Sequence, residues 1–158
     1  MRFTARHYAT GAPTAVEVTG DRVTYIGPGS EPADGWVAPS FCDVQINGCL
    51  GVGFNSPALT ADGVRTVADE CRRHGVGRLC PTVITDGFEP IRRAFVTLAG
   101  ALDADRELAR RIPGFHLEGP YISGEDGPPA PIRKPTPATR TGTSSAAGRT
   151  RPAVASAW

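Results

Sequence analysis

The sequence has 158 residues, of which 40% are hydrophobic and 21% charged, a composition typical of soluble globular proteins and unlike that of fibrous or membrane-spanning chains. Residues 1–126 contain twelve basic and all sixteen acidic residues, a net charge of −4, whereas residues 127–158 carry +5. The second segment has six prolines and a single aromatic residue, Trp158. Because it lacks the apolar surface that a folded core requires, we expect residues 127–158 to be disordered.

The sequence predicts a cytoplasmic protein with no membrane partner. It has no run of about 18 consecutive apolar residues, and its start lacks the apolar run of a secretory signal peptide. Its four cysteines form no CxxC pair, which argues against a zinc finger and against a disulfide framework. We therefore expect buried free thiols at Cys42, Cys49, Cys71 and Cys80.

Residues 1–37 predict a small β module. Three short segments bounded by turn residues have the composition of strands, and a hairpin turn joins the last two. The predicted strands are Arg2–His7, Ala15–Thr19 and Arg22–Ile26, the turn is Thr19–Arg22, and Gly27–Gly29 is expected to stop the third strand.

Residues 37–117 alternate between strand and helix patterns. Val37–Asn47 predicts a buried strand that leads into the glycine-rich loop Gly48–Gly53, and Val76–Ile84 and Ile112–Leu117 predict two further strands. A first helix is expected from a cap at Thr60 or Asp62 to His74–Gly75, and a second over Pro90–Leu108. Their predicted inner faces are Val64, Val67, Ala68 and Cys71 in the first helix, and Ile91, Ala94, Phe95, Leu98 and Leu102 in the second.

This alternation predicts an α/β fold built from right-handed parallel βαβ units. Three parallel strands do not close a barrel, since an eight-stranded barrel typically takes about 250 residues. If the architecture is a barrel, we expect this chain to contain its first third.

Candidate site residues follow the three predicted parallel strands, whose carboxyl ends face the ligand in such folds. Gln45 and Asn47 end the first strand and, by alternation, point to one side. Glu118 follows the third strand directly before Gly119 and Pro120, which favours a metal-ligand or acid/base role. The alternative is a carboxylate that is simply solvated at a strand end.

Other polar residues near these strand ends are harder to assign. His116 lies two residues before Glu118 and faces the same side, so it is either a site residue or a structural one. By the same alternation, Asp43 is expected to share the inward face with Gln45. His74 is interpreted as a favourable partner of a helix C-terminus, and His7 has no partner visible in the sequence.

Four motifs in order resemble the N-terminal third of N-acetylglucosamine-6-phosphate deacetylases, within the amidohydrolase superfamily. They are VAPSFCDVQINGC (Val37–Cys49), RRHG (Arg72–Gly75), PTVITD (Pro81–Asp86) and HLEGPYIS (His116–Ser123). The resemblance covers about residues 1–126. It implies a partial β-sandwich over residues 1–37 and the first units of a metal-dependent (β/α)8 barrel over residues 38–126.

The resemblance also implies a site and a reaction. Glu118 would bind one divalent metal ion, Zn or Fe, while Gln45 and Asn47 take the place of the histidine pair of many amidohydrolases, with Gly48 and His116 nearby. The intact enzyme would hydrolyse the acetamide of N-acetylglucosamine 6-phosphate and form a homo-oligomer. The family's two later metal-binding histidines and its late-strand catalytic aspartate have no counterpart here, so we expect this chain to be inactive and to bind no metal.

The segment 127–158 is interpreted as out-of-frame sequence. Back-translation with GC-rich codons permits another frame that contains the Gly-Ala-His segment expected of the family, so its basic charge is not taken to indicate a nucleic-acid partner. Two alternatives stay open. In the first, the chain is an inert remnant or a non-catalytic binding partner. In the second, it derives from another N-acyl amidohydrolase.

Overall fold

A computed structural model describes residues 1–119 as a mixed α/β protein, and contacts along the chain divide it into two units after Pro39. The boundary predicted at 37/38 lies two residues earlier. The segment 127–158, predicted to be disordered and out of frame, lies outside the described residues. None of the helices within residues 1–119 has the length and apolarity needed to cross a bilayer.

The first unit, within residues 1–39, is a four-stranded sheet. Its strands are β1 (Arg2–His7), β2 (Pro13–Thr19), β3 (Arg22–Pro28) and β4 (Trp36–Val37). Their order is β3-β2-β1-β4; β1, β2 and β3 pair antiparallel, and β4 is parallel to β1. Gly27 and Pro28 pair with Ala15 and Thr14, so the third strand continues through the predicted stop.

The second unit has the predicted strand–helix–strand–helix–strand order. Its elements are β5 (Phe41–Ile46), β6 (Gly48–Cys49), β7 (Val52–Gly53), α1 (Ala61–Arg73), β8 (Val76–Val83), α2 (Phe88–Ala104), α3 (Arg106–Arg111) and β9 (His116–Leu117). Within the described residues, the main strands form a parallel sheet of order β5-β8-β9, and β6 and β7 form a small hairpin after β5.

The first helix forms as predicted because its signals are local. The Thr60 hydroxyl accepts a hydrogen bond from the Gly63 N–H at 3.1 Å, which caps the helix, and His74 ends it before Gly75 at φ +82. The four predicted inner residues of α1 are all buried and pack with Leu79 and Val83 of β8.

The prediction of a single second helix over Pro90–Leu108 is wrong, because this segment lies in two helices, α2 and α3. Asp105 leaves the helical conformation at φ −138, and its carboxylate accepts hydrogen bonds from the Glu107 and Leu108 N–H groups at 2.9 and 3.1 Å. The same residue therefore ends α2 and caps α3, as expected of an aspartate that competes for backbone donors. The predicted inner stripe of α2 is confirmed as buried.

The expectation of a buried strand over Val37–Asn47 is wrong for the described residues. The segment splits into β4 and β5, and Phe41 and Val44 in β5 are 72% and 67% exposed. Among residues 1–119, β5 lies at the edge of its sheet and pairs on one side with β8. The third strand is also shorter than predicted, because Ile112 is instead the buried end of α3.

Candidate active site

The parallel sheet brings the carboxyl ends of β5, β8 and β9 to one edge. Ile46 pairs with Pro81, and Val83 pairs with Leu117, so the residues that follow these positions meet in space. Gln45, Asn47 and Glu118 are the residues that the sequence predicts at this edge.

These three side chains are in contact and are called the amide–carboxylate cluster below. The Gln45 Nε2 donates to the Asn47 Oδ1 at 3.1 Å and to the Glu118 Oε2 at 3.2 Å. Gln45 and Asn47 are exposed, and Glu118 is half-buried. The cluster thus combines one carboxylate with two neutral amides on an open face.

A β-bulge in β5 sets which side chains face the cluster. Asp43 pairs with Leu79 and Ile46 with Pro81, so three steps along β5 match two steps along β8. Asp43 therefore shares the face of buried Leu79, and the expectation that it faces the same side as Gln45 is wrong. Its Oδ1 instead accepts a hydrogen bond from the Gln45 N–H at 3.0 Å, which satisfies a donor within the bulge.

Gly48 allows the chain to turn directly after the cluster. It has φ +131, and a Cβ there would lie 1.9 Å from the Val52 carbonyl oxygen. Leu50 and Gly51 both have positive φ, as a two-residue type I′ turn between β6 and β7 requires. The Phe54 N–H donates to the Asn47 carbonyl at 3.0 Å and closes the loop behind the cluster.

The backbone of Glu118 is held on both sides. Its N–H donates to the Val83 carbonyl at 3.0 Å, and its own carbonyl accepts from the Thr85 hydroxyl at 2.9 Å. Gly119 follows at φ +88, where a Cβ would lie 1.8 Å from the Thr85 Oγ1. From the sequence, Thr85 is marked only by its place in the PTVITD motif at the end of the second predicted strand.

Asn55 holds the end of β8 with both atoms of its amide. Its Nδ2 donates to the Ile84 carbonyl at 3.1 Å, and its Oδ1 accepts from the Ile84 N–H at 2.8 Å. Sequence reasoning missed Asn55 entirely, because no motif or periodicity marks a side chain that binds a distant backbone.

The three histidines have different surroundings. The Nδ1 of His116 lies 3.4 Å from the Oγ1 of fully buried Thr82, on the neighbouring strand. The Nε2 of His74 lies 3.1 Å from the Glu70 Oε1. This hydrogen bond, and to a smaller extent the one from Arg73, lowers the pKa of the Glu70 carboxyl. His7 has the partner that the sequence did not show, since its Nδ1 accepts from the Ala9 N–H at 3.3 Å.

The thiols are only partly buried, contrary to expectation. Cys42 is exposed, Cys49 and Cys80 are intermediate, and Cys71 is buried; all four are free. Burial raises the pKa of the Cys80 thiol, and the neighbouring Cys42 raises it further. Cys42 is exposed because it lies on the edge strand β5.

The donor set of the cluster suits a divalent ion only in part. A carboxylate oxygen is a good ligand for Zn²⁺ or Fe²⁺, whereas amide oxygens are neutral and weaker, and protein metal centres use three or four ligands. Within residues 1–119, no group of three or more His, Cys, Asp or Glu side chains is placed to hold a metal ion. The described residues therefore fit one ligand, Glu118, of such an ion.

No protein-family model matches the chain. The chain is 37% identical over 90 residues to the bovine (Bos taurus) N-acetylglucosamine-6-phosphate deacetylase, covering 56% of this chain and 22% of the relative. It is 35% identical over 102 residues to an N-acetylgalactosamine-6-phosphate deacetylase of Shewanella, covering 63% and 25%. The chain thus spans about a quarter or less of these relatives.

A solved structure shows the same relationship in three dimensions. It is a variant N-acetyl-D-glucosamine-6-phosphate deacetylase from Mycobacterium smegmatis in complex with N-acetyl-D-glucosamine-6-phosphate. The TM-score is 0.61 at 32% identity, covering 78% of this chain and 33% of that chain. In sequence and in fold, the N-terminal portion of this chain is homologous to part of the N-acetylglucosamine-6-phosphate deacetylases.

Proposed function

We propose that the described residues form the first part of a metal-dependent (β/α)8 barrel that hydrolyses the acetamide of N-acetylglucosamine 6-phosphate. The observation that carries this proposal is the amide–carboxylate cluster, in which Glu118 and Gln45 lie 3.2 Å apart at the carboxyl ends of β9 and β5. Sequence and structural similarity to deacetylases acting on 6-phosphorylated N-acetyl amino sugars supports the choice of substrate.

Glu118 is the residue that would bind the metal ion. When bound, a divalent ion supplies Lewis-acid activation of the acetamide carbonyl and of water. The Gln45 amide restricts the rotation of the Glu118 carboxylate by donating to its Oε2, and the Asn47 Oδ1 in turn orients the Gln45 amide. Gln45 and Asn47 thus act by orientation, since neither carries charge.

The 158 residues alone are proposed to be inactive. Glu118 is a single anionic donor, and one carboxylate does not hold a divalent ion at useful affinity. His116, the nearest histidine along the chain, lies beside the buried Thr82 hydroxyl. Acetate release by these 158 residues at a rate comparable to that of a family enzyme would contradict this part of the proposal.

A second candidate substrate is N-acetylgalactosamine 6-phosphate. The Shewanella relative at 35% identity is named for that substrate, and its alignment is the longer of the two reported above, 102 residues. The two sugars differ in the configuration of one hydroxyl, and none of the residues of the amide–carboxylate cluster distinguishes them by chemistry. Choice between the sugars therefore depends on residues outside the cluster.

The proposal is tested on the product of the gene read in the alternative frame downstream of the codons for Gly127–Ala130. We expect it to release acetate from N-acetylglucosamine 6-phosphate faster than from its galactosamine isomer or from N-acetyl amino acids. The Glu118→Gln variant of the same product is the control and should lose that activity. Preference for an N-acetyl amino acid would instead favour another N-acyl amidohydrolase.

A further inference from the structure

Two side chains outside the amide–carboxylate cluster hold the backbone from which its carboxylate extends. They are Thr85, which follows the end of β8, and Asn55, which lies in the loop before α1. Neither belongs to the cluster, and both direct their polar atoms to backbone groups.

Thr85 contacts Glu118 directly. It is 4% exposed, and its hydroxyl donates to the Glu118 carbonyl at 2.9 Å. Thr85 also packs closely against the next residue, since only a glycine fits at position 119 beside the Thr85 Oγ1. With the Glu118 N–H bound to the Val83 carbonyl, the peptide groups on both sides of the Glu118 Cα are fixed.

Asn55 holds the segment that carries Thr85. Its amide forms two hydrogen bonds, at 2.8 and 3.1 Å, with the backbone of Ile84, the residue directly before Thr85. Phe54, its neighbour, is fully buried in the core, so Asn55 is anchored to the body of the second unit. A chain of contacts thus runs from the core through Asn55 and Thr85 to Glu118.

We propose that Thr85 is a positioning residue for the Glu118 carboxylate and that Asn55 supports it by holding Ile84. The inference rests on the proposed function, since it matters for chemistry only if Glu118 binds the metal. Gln45 reaches Glu118 across 3.2 Å, near the upper end of the usual range for an N–H···O hydrogen bond. A shift of the Glu118 backbone would therefore weaken this contact.

The test uses the 158-residue chain and needs neither metal nor substrate. The nuclear Overhauser effect between the Gln45 side-chain amide protons and the Glu118 Hγ protons reports the cluster directly. Thr85→Val keeps the side-chain shape and removes the donor, so we expect this signal to disappear and hydrogen exchange at the Glu118 N–H to accelerate at least tenfold. Thr85→Ser keeps the donor and should retain both properties.

Thr14→Val is a matched control in the first unit. Thr14 is 8% exposed, and its hydroxyl donates to the Ala12 carbonyl at 3.1 Å, so the substitution removes a similar hydrogen bond far along the chain from Glu118. We expect it to leave the Gln45–Glu118 signal unchanged. Equal loss of the signal in Thr14→Val and Thr85→Val would show a general effect of destabilisation and would overturn the proposal.

Two further results would also overturn it: an unchanged signal in Thr85→Val, or no signal in the unsubstituted chain. If Thr85→Val does not fold, Asn55→Asp decides, because it keeps the acceptor for the Ile84 N–H and loses the donor to the Ile84 carbonyl. A weakened Gln45–Glu118 signal supports the proposal, and full intensity refutes it. These measurements are independent of acetate release, so failure of the proposed function and failure of this inference are distinguishable.

Discussion

The Nε2 of Gln45 lies 3.2 Å from the Oε2 of Glu118, although 73 residues separate them in the sequence. The contact exists because β5 and β9 flank β8 in one parallel sheet, so that their carboxyl ends share an edge. A neutral donor therefore approaches the one carboxylate of the cluster. Under the proposed function, this hydrogen bond orients the Glu118 carboxylate toward a metal ion.

Replacing Glu118 with Gln should reduce metal binding with little effect on the fold. If the proposed function holds, the product of the alternative frame should lose at least tenfold in affinity for Zn²⁺, because the anionic ligand is gone while the side-chain shape is kept. The melting temperature of its metal-free form should change little, since Glu118 is only half-buried. Metal content after dialysis and thermal melting measure the two effects.

For the 158-residue chain, by contrast, we expect little bound metal whether or not Glu118 is present. We expect it to retain substantially less than one equivalent of Zn²⁺ after dialysis, with or without Glu118. Stoichiometric metal that is lost on Glu118→Gln would show that these residues hold a complete site.

Replacing Gly48 with Ala should destabilise the second unit by about 2 kcal/mol or more. The new Cβ would meet a backbone carbonyl oxygen at 1.9 Å, and φ +131 is unfavourable for alanine. Gly100→Ala is the control, because Gly100 lies inside α2 with nothing within 4 Å of an added Cβ. That change should stabilise the protein by about 1 kcal/mol. Urea unfolding of both variants checks the prediction, which a loss no larger in Gly48→Ala than in Gly100→Ala would contradict.

Replacing Asp43 with Ala should weaken the bulge in β5. The Gln45 N–H would lose its acceptor at 3.0 Å, which we expect to cost about 1 kcal/mol and to speed hydrogen exchange at that amide. Asp43→Asn keeps an oxygen at the acceptor position and should retain most of the protection. Exchange measured by NMR separates the variants, and equal protection in Asp43→Ala and the unsubstituted chain would count against the role of Asp43.

Asp105 should make the stability of the second unit depend on acid pH. Hydrogen bonds from the Leu108 and Glu107 N–H groups, with the charge of Arg65, hold the pKa of this carboxyl below its usual value. Because the folded pKa is the lower one, this contribution is present above pH about 4 and is lost as the pH falls through the folded pKa. Asp105→Asn keeps the cap without the titration. Thermal melting between about pH 2 and pH 6, at constant ionic strength, should therefore depend less on pH for the variant than for the unsubstituted chain.

Local signals explain what the sequence predicts well. The Thr60 cap and the apolar period define α1 without reference to any other part of the chain, and the inner stripe of α2 has the same basis. The strand-end rule singles out Gln45 and Glu118 for a similar reason, since it needs only the direction of each strand.

The features that sequence reasoning misses depend on contacts between distant segments. Regular alternation and a one-residue bulge look alike in the sequence, so the face of Asp43 follows only from its pairing with Leu79. The exposure of β5 depends on which strand lies beside it. Thr85 and Asn55 bind backbone groups, and residue type alone does not show which backbone a hydroxyl or an amide will reach.

The extra residue in β5 makes the length of this segment a stricter requirement than its composition. Deleting Val44, an exposed residue that contacts solvent, would remove one step of alternation and turn either Asp43 or the Gln45–Asn47 pair to the opposite face. Replacing Val44 with another side chain would leave the register intact. Libraries built on this scaffold should therefore vary side chains between Phe41 and Asn47 and keep the number of residues fixed.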